Sequence, residues 1–370
     1  MDSKVSKRGP VFDAVGWRDP VSHTRLLPIV TARTPAGVPI CGALQVEGTD
    51  VGYPIVDCVA RLTPELALRH SSWLAQLNLR PPDLPSAAGS FQPQSTVDSF
   101  GWQWTWNANM RTDADLRMRV AEKFGLTPEH YSGKLVADMG AGAGDQSAYL
   151  LRQGAAVISV DLSSAIEVVA SKLRMDSAWF GVQADITMLP LQSEQFDSVY
   201  CEGVIQHTRD SALAVSELCR VLANGGNLLA AHYIRSVPAS SWGRLKRRVS
   251  LGIYERARSR LSRLERFKLL LVTGNLAALG YTPLIGAVVR RAGLALHYDL
   301  MPDFKTTWTN TFDFYGSHEY QRFMSRDEFA ALFRQIPAIS IVRERDGNIH
   351  AAKSGAPTAS ASAAPAEGPV

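Results

Sequence analysis

The stretch that most constrains this chain runs from Lys134 to Leu150, KLVADMGAGAGDQSAYL. A short apolar segment, Leu135-Val136-Ala137, ends in Asp138, and Gly140, Gly142 and Gly144 follow on alternate positions. From about Gln146 to Gln153 the residues suit a helix. Strand, glycine loop and helix open a nucleotide-binding α/β unit. Glycine lets the backbone turn sharply and approach a ligand, because no Cβ intervenes. The loop also gathers backbone N–H groups at a helix N-terminus, where a negative ligand group is favoured. A plain strand-to-helix turn uses the same residues, so the downstream sequence has to decide.

Downstream, Ala155–Val160 reads as a second strand closed by Asp161. A helix over Ser163–Met175 leads to a third strand at Trp179–Gln183, then to Ala184-Asp185-Ile186 and Leu189-Pro190-Leu191. The fourth strand starts at Phe196-Asp197-Ser198-Val199-Tyr200 and runs into Cys201-Glu202-Gly203-Val204-Ile205-Gln206-His207. A helix over Asp210–Leu222 should close at the C-cap Asn224-Gly225-Gly226, before a fifth strand at Asn227–Tyr233.

In this order the strings resemble class I S-adenosylmethionine-dependent methyltransferases of the methyltransferase-11 type. The matching features are D-x-G-x-G-x-G, an acid closing strand two, A-D-x-x-x-L-P after strand three and F-D-x-V-x-x-x-x-V-x-x-H on strand four. The resemblance covers about Phe100 to Ile234 and resumes from Thr306 to Ala352. A dinucleotide fingerprint would carry glycine where Asp145 stands, which disfavours a dehydrogenase.

The resemblance implies an α/β fold: a Rossmann-like seven-stranded sheet, mostly parallel with its final strand antiparallel, and helices on both faces. It implies S-adenosyl-L-methionine as cofactor. Asp138, Gly140, Ala141, Gly142 and Gly144 would face its methionine part. Asp161 would hold the ribose hydroxyls, and Asp185 and Ile186 the adenine; Leu162 and Glu202 join the same set. Each aspartate also reads as a helix cap or turn residue. Methyl transfer needs alignment more than acid–base chemistry. A general base helps only where the acceptor is a hydroxyl of high pKa. The candidates are His207, His318 and Tyr315, with His232 and Asp313 as further polar groups.

The flanks are less specific. Residues 1–36 mix Pro, Gly and charge and read as a loosely ordered lead-in. Residues 37–85 resemble a small zinc-ribbon-like module followed by a helix over Thr63–Leu79, with Leu66, Trp73, Leu74 and Leu77 as its apolar face. Val38 stands where a first cysteine would be, and Cys41 is the one recognisable ligand, so the module should be metal-free. After a polar linker, Ser99–Trp106 concentrates aromatic rings that either cap the core or form a lid. A helix is expected over Thr112–Phe124. The methyltransferase-like domain comprises 95–234 and 301–353, interrupted by an insertion at 235–300. Ser325-Arg326-Asp327-Glu328 is a capping box opening a helix to Gln335, and a hairpin turns at Asp346-Gly347. Residues 354–370 are Ala/Ser/Pro-rich and read as disordered.

The formal charge of +4 belongs to one place. Between Arg235 and Lys268 eleven Lys and Arg face two acids, Glu255 and Glu265, and without that segment the balance turns negative. The insertion reads as a basic helical cap over the active-site mouth. Its sharper reading is peripheral membrane contact through 235–268, with a small-molecule or lipid-/glycan-linked acceptor. Gly274, Asn275, Gly280, Pro283 and Gly286 break the following apolar run and argue against a membrane span. A nucleic-acid methyltransferase is disfavoured, since no N-P-P-Y-type motif follows strand four. A degenerate, non-catalytic cofactor-binding module is disfavoured by the intact aspartates and glycines. Four cysteines without a C-x-x-C pair, and no apolar N-terminal run, suit a reducing, cytoplasmic setting.

Overall fold

The computed structural model describes residues 9–84, 101, 111–234, 252, 254–291, 303–316 and 321–355. Its first strands are Leu26–Arg33 (β1), Pro39–Val46 (β2), Gly52–Val56 (β3) and Val59–Arg61 (β4), joined in an antiparallel meander. The β3–β4 turn places Asp57 and Cys58 both at positive φ (52° and 64°), the geometry of a tight hairpin turn, here without glycine. Then come Leu135–Met139 (β5), Ala156–Val160 (β6), Trp179–Gln183 (β7), Phe196–Glu202 (β8) and Leu222–Ala231 (β9). These five pair in parallel in the order β7-β6-β5-β8-β9. Their short apolar runs are buried almost throughout, as strands covered on both faces require. Ile339–Arg345 (β10) and Asn348–Lys353 (β11) form the expected hairpin around Asp346-Gly347, and β11 lies antiparallel to β9.

The seven strands expected are therefore present, but the sheet has eleven, in the order β1-β2-β3-β4-β7-β6-β5-β8-β9-β11-β10. The seam is parallel: Val59, Ala60 and Arg61 of β4 pair with Gly181, Val182 and Gln183 of β7. A three-residue strand carries too little periodicity for its partner to be read from sequence. The segment expected to form a separate zinc-ribbon-like module is thus an extension of the main sheet. Cys41 is half-buried and Cys58 buried, and no group of three or more His, Cys, Asp or Glu among the described residues is placed to hold a metal ion.

The lead-in differs from its expectation over its described part. A helical turn, Val11–Ala14 (α1), seats Phe12 against Phe180 of β7, with ring centroids 4.7 Å apart, and Trp17 5.8 Å from the same ring. Aromatic burial orders a segment whose composition reads as loop. The single helix expected at Thr63–Leu79 is two, Pro64–Arg69 (α2) and Ser71–Gln76 (α3), with His70 between them. Of its proposed apolar face only Leu74 is fully buried; Trp73 instead donates its indole N–H to the Gly42 carbonyl.

The helix expected at Thr112–Phe124 is Asp113–Val120 (α4), opened by a Thr112–Asp115 capping box. Helices Asp145–Arg152 (α5), Ala165–Leu173 (α6) and Ser211–Val221 (α7) connect the parallel strands. Asn224-Gly225-Gly226 is not a helix cap. The α7 helix ends at Val221 and the chain passes directly into β9, where Gly225 takes φ +79° opposite a register shift in β8. The insertion holds a helical stretch at 254–261, then Arg266–Gly280 (α8) and Pro283–Arg291 (α9). Phe304–Tyr315 (α10) joins them around a small core of Tyr254, Leu269, Phe312 and Tyr315. Arg326–Arg334 (α11) begins with the predicted capping box. Most of Ser99–Trp106, residues 235–251, His318 and the 356–370 tail lie outside the described residues.

Candidate active site

Five consecutive parallel strands deliver a polar group at or just past their carboxyl ends. In sheet order these are Asp185 (β7), Asp161 (β6), Asp138 (β5), Glu202 (β8) and His232 (β9). This edge is where ligands bind in open α/β folds.

The glycine loop is set by β6. Gly140 and Ala141 both donate N–H to the Val160 carbonyl (2.7 and 3.1 Å), and Gly142 N–H donates to Asp161 Oδ2 (2.9 Å). Asp161 Oδ1 accepts from Ser163 N and Oγ (2.8 and 2.7 Å). Burial pushes the Asp161 carboxyl up, against these donors. Gly140 stands at φ +76°, and a Cβ there would lie 2.1 Å from Val204 Cγ2. That position is closed to any side chain.

Asp138 is buried beneath the loop, 1% exposed. Ser147 Oγ donates to its Oδ2 (2.5 Å) and lies 2.7 Å from Ser159 Oγ, which accepts from the Trp179 indole (2.8 Å). This chain of polar contacts ties β5, β6, β7 and α5 together. Burial raises the Asp138 carboxyl to about 7, with the Ser147 bond working the other way.

Asp185 caps its own turn, accepting Thr187 N and Oγ1 (2.8 and 2.7 Å), while Ile186 is buried beside it. The Leu162 carbonyl accepts from Gln183 Nε2 (3.0 Å), and Gln183 Oε1 accepts from Arg61 (2.8 Å). The Arg61 side chain also pairs with Glu167 at 2.5 Å. The N-terminal extension thereby holds the loop beyond Asp161. The Leu189-Pro190-Leu191 segment is fixed by Glu217, which accepts Leu189 N (2.9 Å), and by Arg220, which donates to the Leu189 and Leu191 carbonyls.

On the other half, Glu202 is engaged within the chain. Arg119 (3.0 Å), Lys123 and the Tyr200 hydroxyl (2.5 Å) all donate to it. Burial pushes its carboxyl up, but Lys123 and Arg119 outweigh burial and hold it at about 2. Arg111 belongs to the same cluster; burial and Arg119 lower its pKa while Glu202 raises it. Arg111, Arg119 and Lys123 thus gather beside Glu202, and Arg111 also feels Asp145 and Asp138.

His207 follows in a tight turn, 6% exposed, its ring 5.7 Å edge-on from Tyr233. His232 shares its Nδ1 with the Tyr233 carbonyl (2.9 Å) and leans on Phe329. Its Nε2 and both side-chain amide atoms of Gln206 are buried without a hydrogen-bond partner among the described residues. Burial lowers the His232 pKa. Tyr315 sits in the small core around α8 and α10 against Tyr254 and Phe314, its hydroxyl also without a hydrogen-bond partner among the described residues and pushed up to about 12 by burial. Asp313 is on the same helix.

Sequence reasoning passed over Ser147, Ser159, Gln206, Arg61, Arg119 and Lys123. A signal existed for Ser159, a lone polar residue in the buried strand AVISV. For Arg119 and Lys123 the i, i+4 spacing was visible, but nothing local pointed to Glu202.

Residues 137–230 match the family model described as a methyltransferase domain. The demethylmenaquinone methyltransferase of Clavibacter sepedonicus is 30% identical over 128 residues, covering 34% of this chain and 51% of that protein. The ubiquinone biosynthesis O-methyltransferase of Xylella fastidiosa is 32% identical over 111 residues, covering 29% of this chain and 45% of that protein. The chain thus spans about half the length of these curated relatives. Among solved structures, 1,6-didemethyltoxoflavin-N1-methyltransferase of Burkholderia thailandensis, bound to 1,6-didemethyltoxoflavin and S-adenosylhomocysteine, is 16% identical. That alignment covers 68% of this chain and 81% of the other, with a TM-score of 0.38. The family match falls on the strands that carry the glycine loop and the three aspartates, a cradle closed to any Cβ at Gly140 and lined by carboxylates, and S-adenosyl-L-methionine is the cofactor it fits.

Proposed function

We propose that the chain is an S-adenosyl-L-methionine-dependent methyltransferase acting on a small-molecule acceptor. The observation that carries this is the row of Asp138, Asp161 and Asp185 on three adjacent parallel strand ends, with the glycine loop between the first two. The cofactor supplies a sulfonium-activated methyl group, so the protein's task is alignment rather than activation. Asp138, ionised, attracts a cationic amino group. Asp161, already braced by Gly142 and Ser163, holds vicinal hydroxyls. Ile186 offers an apolar surface to a flat base. The cations Arg111, Arg119 and Lys123 beside Glu202 offer donors to a carboxylate, from the cofactor's amino-acid end or from the acceptor.

The acceptor belongs on the β8–β9 side. There His207 would take a proton from an acceptor hydroxyl, and Gln206 and His232 Nε2, without partners among the described residues, would add hydrogen bonds. Demethylmenaquinone and intermediates of ubiquinone biosynthesis are the first acceptors to try, because the two curated relatives carry the names demethylmenaquinone methyltransferase and ubiquinone biosynthesis O-methyltransferase. Isothermal calorimetry with S-adenosyl-L-methionine tests the reading directly. Micromolar binding by the native chain is expected, with heavy loss in Gly140→Ala. Absence of binding by a folded native chain would sink it.

A further inference from the structure

The cap leaves part of its apolar surface uncovered. On α8, Leu269, Thr273, Ala277 and Gly280 turn inward, and Trp308 of α10 donates to the Leu270 carbonyl (3.0 Å). The opposite face carries Phe267 and Leu271, 70% and 52% exposed. Past the bend, Leu284, Ile285 and Val288 of α9 are 85%, 55% and 67% exposed. No other part of the described surface gathers exposed large apolar side chains so densely, and such a patch marks a binding surface. The chain leading into it is basic on balance, with Glu255 and Glu265 as its two acids and Glu265 paired with Lys268. Arg256, Arg260 and Arg263 are exposed just before α8, and no acid lies between Arg266 and Arg291.

No single described helix is long and apolar enough to cross a membrane, and the α8–α9 pair is bent by 120°. At ~1.5 Å per residue α8 reaches roughly 22 Å, short of the ~30 Å hydrocarbon core. An apolar face with cationic flanks on a bent helix pair suits the plane of the bilayer interface. A second copy of the chain would set the same cations against each other, whereas an anionic bilayer attracts them. We infer that α8 and α9 seat on an anionic lipid surface, with Phe267, Leu271, Leu284, Ile285 and Val288 at the headgroup–acyl boundary and the arginines on the phosphates. This goes beyond the methyl-transfer reading and does not depend on it.

The test is co-sedimentation of the full chain with vesicles of phosphatidylcholine alone or mixed with phosphatidylglycerol, with light scattering in parallel. Retention is expected on the anionic vesicles. Leu284→Glu with Ile285→Glu, at exposed positions, should weaken it more than about tenfold with circular dichroism unchanged. Arg260→Glu with Arg263→Glu should weaken it about tenfold or more and flatten its salt dependence. No retention by a monomeric native chain overturns the inference, as does retention that ignores the Leu284/Ile285 change. A dimer that this change splits, without vesicle binding, would assign the face to a second copy. Cofactor calorimetry on the same samples reports the methyl-transfer reading separately.

Discussion

The two halves of the strand-end ledge are built differently. On the β5–β7 half every carboxylate is braced by short-range donors: Asp161 by Gly142 of the glycine loop and by Ser163, Asp185 by Thr187, Asp138 by Ser147 of α5. On the β8–β9 half, Glu202 is consumed by Arg119 and Lys123, while Gln206 and His232 Nε2 are left without partners among the described residues. Buried polar atoms without partners are costly and are found where a ligand or water completes them. On the proposed reading the first half serves the cofactor and the second the acceptor.

Four measurements would break or sharpen this contrast. The largest effect belongs to Asp161→Ala, which removes a braced carboxylate. Cofactor Kd should rise at least about a hundredfold, since charge-assisted bonds are the strong ones. A Kd within a few-fold of the native value would remove the β6 end from the site. Next, His207→Ala should lower kcat about a hundredfold while leaving cofactor Kd alone. Equal loss in both would make His207 part of the cofactor half instead.

Third comes pH. A free Asp138 that titrates at about 7 must ionise to attract a cationic ligand, so cofactor affinity should rise as pH rises. The gain should be about tenfold between pH 6 and pH 8, and Asp138→Asn should flatten the profile. Stability of the ligand-free chain moves oppositely. A carboxyl whose folded pKa is raised stabilises most when protonated, and that contribution is lost as pH climbs through about 7. A native affinity profile that is flat over this range would show Asp138 to be purely structural. Smallest is Arg61→Ala, which removes the brace from Gln183 and Glu167. Thermal unfolding should shift by a few degrees, for a loss of about 1–3 kcal/mol, with cofactor Kd changed only several-fold.

The same contrast explains what the sequence could tell. The cofactor half was legible because its backbone leaves no choice of residue. Gly140, Gly142 and Gly144 all stand at positive φ, and strand-end aspartates are the short acceptors that can reach adjacent N–H groups. The hairpin at Asp346-Gly347 was legible for the same reason. The β3–β4 hairpin turns instead at Asp57-Cys58, and nothing local in it points to the pairing of β4 with β7. The acceptor half has no local rule. Arg119 and Lys123 reach Glu202 through tertiary packing, and nothing in their spacing demands it. The insertion was legible as helical but its core was not, since that core draws Tyr254, Leu269, Phe312 and Tyr315 from segments far apart in the chain.

The seam between β4 and β7 also dictates an order of events. Arg61 and Gln183, bonded across it, are 122 residues apart. The meander of β1 to β4 is made of neighbours and can close early, since short loops cost little entropy to form. Its last strand must then wait, with one edge bare, until β5, β6 and β7 have been made and laid down. An unpaired edge is where chains stick to one another. The hazard for this protein therefore falls in the interval before β7 arrives, and a chain cut after β6 should aggregate where the whole one does not.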